Sequence, residues 1–104
     1  MQNQDDLQKS PNQEEEKWNK FPELKNPRYF QSYQVLKCVR NCPNLYQSLK
    51  ESGYLEDYVN DLAERWWNIV RQMLKNGAPR WLAESTAWEL ILEEIAADES
   101  AITR

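Results

Sequence analysis

Histidine is absent from the 104-residue chain. Without an imidazole there is no Ser-His or Cys-His nucleophile, no histidine general base and no histidine-containing zinc or di-iron site. Long apolar runs are missing too, and none approaches the roughly 18 residues that a membrane-spanning helix needs. The N-terminal "MQNQDDLQKSPNQEEEK" lacks the basic-then-apolar build of a signal peptide. Cysteine occurs only twice, as Cys38 and Cys42, too few to staple a small secreted domain. Excess basic charge is also lacking. With a net charge of −4 and a pI near 4.9, attraction to phosphate backbones or anionic lipid is not the default expectation. These absences predict a cytoplasmic protein with no membrane partner.

Aromatic residues are what the chain has in quantity: five Trp, five Tyr and two Phe. A domain this small buries a modest fraction of its surface, so large side chains have an immediate use in its core. Charge is uneven along the chain. Residues 1 to 27 sum to −2, residues 28 to 80 to +3 and residues 81 to 104 to −5. A mildly basic middle beside an acidic end can pair internally or present one face to an anionic partner.

Residues 1 to 26 are rich in Gln, Asn, Glu and Lys and read as a polar, mostly disordered tail, because they offer too little apolar surface to offset ordering entropy. Within the tail, Trp18, Phe21 and Leu24 recur at threes and suit a short turn that docks on the domain. Residues 27 to 98 read as the helical domain and 99 to 104 as a frayed end. Gly53 and Gly77 each follow a helical pattern and punctuate it, while Pro27, Pro43 and Pro79 stand near helix starts. Four helices are predicted: Arg28 to Asn41, Pro43 to Ser52, Tyr54 to Asn76, and Pro79 to about Ala97.

The third is the clearest amphipathic helix. Leu55, Tyr58, Val59, Leu62, Trp66, Ile69, Val70 and Met73 form one stripe, with Asp57, Asp61, Glu64, Asn68, Gln72 and Lys75 opposite. In the fourth, Trp81, Trp88, Ile91, Leu92 and Ile95 are assigned to the core, whereas Leu82 and Leu90 fall outside it. "TAWE" from Thr86 also matches a capping box, but the longer helix lets Trp81 continue the stripe. The short link between these helices implies an antiparallel pair, with Trp66 level with Trp88, Leu62 with Leu92, Val59 with Ile95 and Met73 with Trp81. The fold class expected is all-α: a small bundle of three to four helices built on a long antiparallel hairpin.

No catalytic residue, metal or cofactor is expected. Cys38 and Cys42 share a helical face, yet zinc wants four ligands and no further soft ones are present, so they read as buried, reduced thiols. Carboxylates suited to magnesium, namely Asp57, Asp61 and Glu64 with Glu89, Glu93 and Glu94, fall on solvent sides of their helices. Trp67 lies about 110° from the centre of the third helix's stripe, grouped with Leu74 and Arg71, and these three are the expected partner-binding residues. Arg71, Lys75 and Arg80 near the "NGAPR" turn, with Arg28, Lys37 and Arg40 beside aromatics, are the candidate anion or nucleic-acid contacts. The expectation is a non-catalytic cytoplasmic protein–protein interaction or regulatory module, with an unidentified protein or a second copy as partner. The alternative is a small nucleic-acid-binding or nucleoprotein accessory factor using the basic middle.

Overall fold

A computed structural model of the chain describes residues 20–103, which form four helices: α1 (Phe30–Arg40), α2 (Pro43–Ser52), α3 (Leu55–Lys75) and α4 (Arg80–Thr103). No strand occurs among the described residues. The expectation of a mostly disordered tail over residues 1 to 26 lies outside that range as far as residue 19, as does that of a docked Trp18.

Both glycines end helices in the left-handed region, Gly53 at φ 81° and Gly77 at φ 93°. Each closes a paired hydrogen-bond cap. The amides of Gly53 and Tyr54 donate to Lys50 and Leu49 carbonyls at 3.2 and 3.1 Å, and those of Gly77 and Ala78 donate to Leu74 and Met73 carbonyls at 3.0 Å each. A side chain at either position would be strained whatever the space around it.

α3 and α4 form the antiparallel hairpin and share the most extensive helix contact. Tyr58 meets Asp98, Arg65 pairs with Glu94, and Trp66 meets Trp88, so the numbers run in opposite directions along the two helices. The Trp66 and Trp88 ring centroids lie 5.4 Å apart. The core face expected for α4 needs correction. α4 turns Ala83, Ala87, Ile91 and Ile95 fully inward, while Trp81 and Leu92 are exposed. Alanines at the seam let two helices approach closely, and bulky neighbours are then displaced to the edges. Trp81 lies about 100° from the centre of that alanine and isoleucine face, and Leu92 about 120°. Trp81 and Leu92 are therefore not the core partners expected for Met73 and Leu62. The long form of α4 is present, although Trp81 is not what holds it.

α1 packs on the other side of α3, and α2 bridges α1 to α4. A buried polar cluster fixes how the chain enters α1. Asn60 Oδ1 accepts from the Arg28 amide at 3.0 Å and the Ser32 hydroxyl at 2.6 Å, while its Nδ2 donates to the Asn26 carbonyl at 3.2 Å. Ser32 and Asn60 are the buried polar residues among those described, and each is hydrogen-bonded, as burial away from water requires.

The turn carrying Phe21 and Leu24 docks on the helices, as its three-residue spacing suggests. Phe21 and Leu24 are buried, with Phe21 5.2 Å from the Tyr33 ring and the Arg40 guanidinium 5.0 Å above it. Glu23 clamps this turn, accepting from Arg40 at 2.6 and 3.1 Å and from the Tyr46 hydroxyl at 2.6 Å. At the other end α4 continues to Thr103, past the expected stop near Ala97 and through the stretch expected to fray. Glu99 gives that extension a purpose. Its carboxylate accepts the Leu45 amide at 2.7 Å and the backbone and side-chain amides of Asn44 at 3.4 and 3.1 Å. α2 has no side-chain cap of its own, so a residue more than fifty positions away satisfies its first amides.

Candidate functional site

The three residues expected to bind a partner are not brought together as an exposed strip. Trp67 stands edge-on to Trp66, with centroids 5.1 Å apart and ring planes at 89°, and its indole N–H donates to Gln31 Oε1 at 2.8 Å. It and Leu74 are half-buried and packed against the core. Arg71 alone is exposed, bonded to Asn68 on its own helix. The cause is α1. A helical wheel of α3 shows that Trp67 leaves the α4 face, but only the placement of α1 shows that Gln31 receives it.

The basic candidates are scattered in their uses. Arg40 is engaged by Glu23, the Lys20 carbonyl and the Phe21 ring. Arg80 pairs with Glu84 at 2.9 Å and Arg28 with Asp61 at 3.5 Å, both at the surface, where such pairs contribute little. Lys37, Arg71 and Lys75 are exposed on two different helices.

The cysteines are free and half-buried. Burial pushes both thiols up, helped at Cys38 by Cys42 and at Cys42 by Glu99, which makes them poor nucleophiles at neutral pH. Tyr58 is likewise pushed up, by burial first and then by its 2.7 Å bond to Asp98. Among the described residues no group of three or more Cys, Asp or Glu is placed to hold a metal ion.

Exposed apolar surface is concentrated elsewhere. Of seven large hydrophobics that the described residues leave exposed, five are on α4: Trp81 at 71%, Leu92 at 46%, Leu90 at 44%, Ile102 at 42% and Leu82 at 37%. Trp81, the half-buried Trp88 and Leu92 fall within about 40° of one another on the helix, and Leu90 lies nearly opposite them. The outward side of α4 is thus bordered by two apolar flanks. A helix apolar on most of its circumference belongs in an interior, yet the side of α4 turned away from α3, α2 and α1 leaves these residues exposed.

The acids of α4 complete the picture. Glu84 pairs with Arg80, Glu94 with Arg65, Asp98 accepts from Tyr58, and Glu99 caps α2. Glu89 and Glu93 remain. Both are exposed, neither has a hydrogen-bond or ion-pair partner among the described residues, and at an i, i+4 spacing they lie between the two apolar flanks. Leu82 and Leu90 were legible as lying off the core face. Trp81 and Leu92 were missed because an apolar stripe weighted by large side chains overlooks Ala83 and Ala87.

No helix among the described residues is long and apolar enough to cross a membrane. Comparison with protein-family models, curated proteins and solved structures finds no match to the chain.

Proposed function

We propose that the protein is a non-catalytic interaction module that binds another protein through the outward side of α4. The observation that carries this reading is the gathering of Trp81, Leu82, Leu90 and Leu92 in the open on one helix. Large apolar side chains left exposed cost free energy in water, and several of them on one helix of a folded domain mark a contact site. Tryptophan suits the centre of such a contact, because it buries a large area and has few rotamers to lose. The rest of the fold supplies a platform, since α3 holds α4 by the contact of Trp66 with Trp88 and by two polar tethers, Tyr58 to Asp98 and Arg65 to Glu94. Two free thiols suit a reducing compartment, which supports a cytoplasmic setting for the module. The nucleic-acid reading is weaker with Arg40 committed to Glu23 and the remaining cations dispersed.

Affinity capture from the native host tests the reading, with wild type set against a Trp81→Ala, Leu90→Ala variant. The variant should melt near the wild-type temperature and lose the captured protein. Retention of the same partner by a folded variant would place the binding face elsewhere.

A further inference from the structure

We propose that the partner seated on α4 is a basic amphipathic helix of another protein. The inference rests on the reading of α4 as the binding face and adds the chemistry of its occupant. Four of the six acids on α4 are used inside the fold, whereas Glu89 and Glu93, unpaired among the described residues, share a line of the helix with Leu82 and lie between Trp81 and Leu92 on one flank and Leu90 on the other. An occupant must therefore cover two apolar edges and meet two carboxylates in the space between them. A helix with an apolar stripe bordered by Lys or Arg does both at once, its cations reaching Glu89 and Glu93 as its stripe covers the flanks.

Charge argues against the other occupants. A second copy docked through the same face would bring Glu89 and Glu93 against their own equivalents, and α4 has only Arg80 to answer them, already paired with Glu84. The chain's own residues 1 to 19 carry five acids against two bases, so they are also of the wrong sign. Like charges facing one another in a contact are strongly disfavoured.

Two synthetic helical peptides with the same leucine pattern test this, one with Lys and Arg at its polar positions and one with Glu, each titrated into the full chain by calorimetry. The basic peptide should bind at one to one and at least about tenfold more tightly than the acidic one, and weaken as salt rises. A Glu89→Lys, Glu93→Lys variant, whose substitutions are exposed and leave the melting temperature unchanged, should reverse that preference. Equal affinity for the two peptides, binding of neither, or a charge-reversed variant that keeps the basic peptide would overturn the proposal. So would a wild-type dimer in sedimentation equilibrium that Trp81→Glu converts to monomer. If the peptides show no preference while Trp81→Ala, Leu90→Ala still abolishes capture, the binding face stands and only the basic helix falls; insensitive capture removes both.

Discussion

Three tryptophans on this fold do three different jobs, and substitution separates them. Trp66 is buried among Trp67, Trp88 and the aliphatic core, and its indole N–H is buried with no hydrogen-bond partner among the described residues. Removing the ring opens a large cavity, so Trp66→Ala should cost about 3 to 5 kcal/mol. An unpaired buried donor costs about 1 to 3 kcal/mol, so Trp66→Phe, which deletes it and keeps a ring, should cost far less than the alanine change. Trp67 is bound to Gln31, and Gln31→Ala should lower stability by about 1 kcal/mol. Trp81 touches little, and Trp81→Ala should leave stability within about 0.5 kcal/mol of wild type. Urea unfolding of the four variants checks the order. A Trp81→Ala variant as unstable as Trp66→Ala would mean that Trp81 is packed, contrary to its exposure here.

Among the elements, α2 depends most on its neighbours. Ten residues are too few for an isolated helix, which needs about 12 to 15, and its N-terminus has no side-chain cap of its own. Glu99 of α4 takes that place, and its negative charge also faces the positive end of the α2 dipole. Glu99→Ala should therefore cost about 1 kcal/mol, the usual loss for a helix cap, and should show first as faster amide exchange at Leu45. Unchanged protection of that amide would mean the contact is not formed in solution. The helices themselves were legible from the sequence because caps and periodicity are local: Pro43 and Gly53 bracket α2, and the stripe from Leu55 to Met73 defines α3. The rotation of α4 was not. Its wheel is apolar on several sides, so the true seam through Ala83 and Ala87 is decided by how closely α3 can approach, which no local pattern expresses.

At the scale of the whole molecule, polar contacts between distant segments close the fold, and these were the least legible. Asn60 with Ser32, Glu23 with Arg40 and Tyr46, and Glu99 with α2 each join residues from different elements, so they exist only once the apolar faces have set the elements in place. The Glu23 clamp makes stability depend on pH. Burial alone would raise its carboxyl, but the bonds from Arg40, Tyr46 and a backbone amide, with the Arg40 charge, more than offset that and hold it at about 2 against an ordinary 4.5. A carboxyl depressed in the folded state binds protons more weakly there than in the unfolded chain. Its contribution is thus fully present above pH 4.5 and is lost as pH falls from 4.5 toward 2. With Arg40 a third exposed and partly screened, the contribution is on the order of 2 kcal/mol. Glu23→Gln should therefore be less stable than wild type by about that amount near neutral pH, and the gap should shrink as the acid limb is descended. Urea midpoints of the two proteins measured across that range decide the matter. A gap that stays constant would show that Glu23 holds the Phe21 turn by neutral hydrogen bonds alone, because only the ionised carboxylate makes its partnership with Arg40 sensitive to protons.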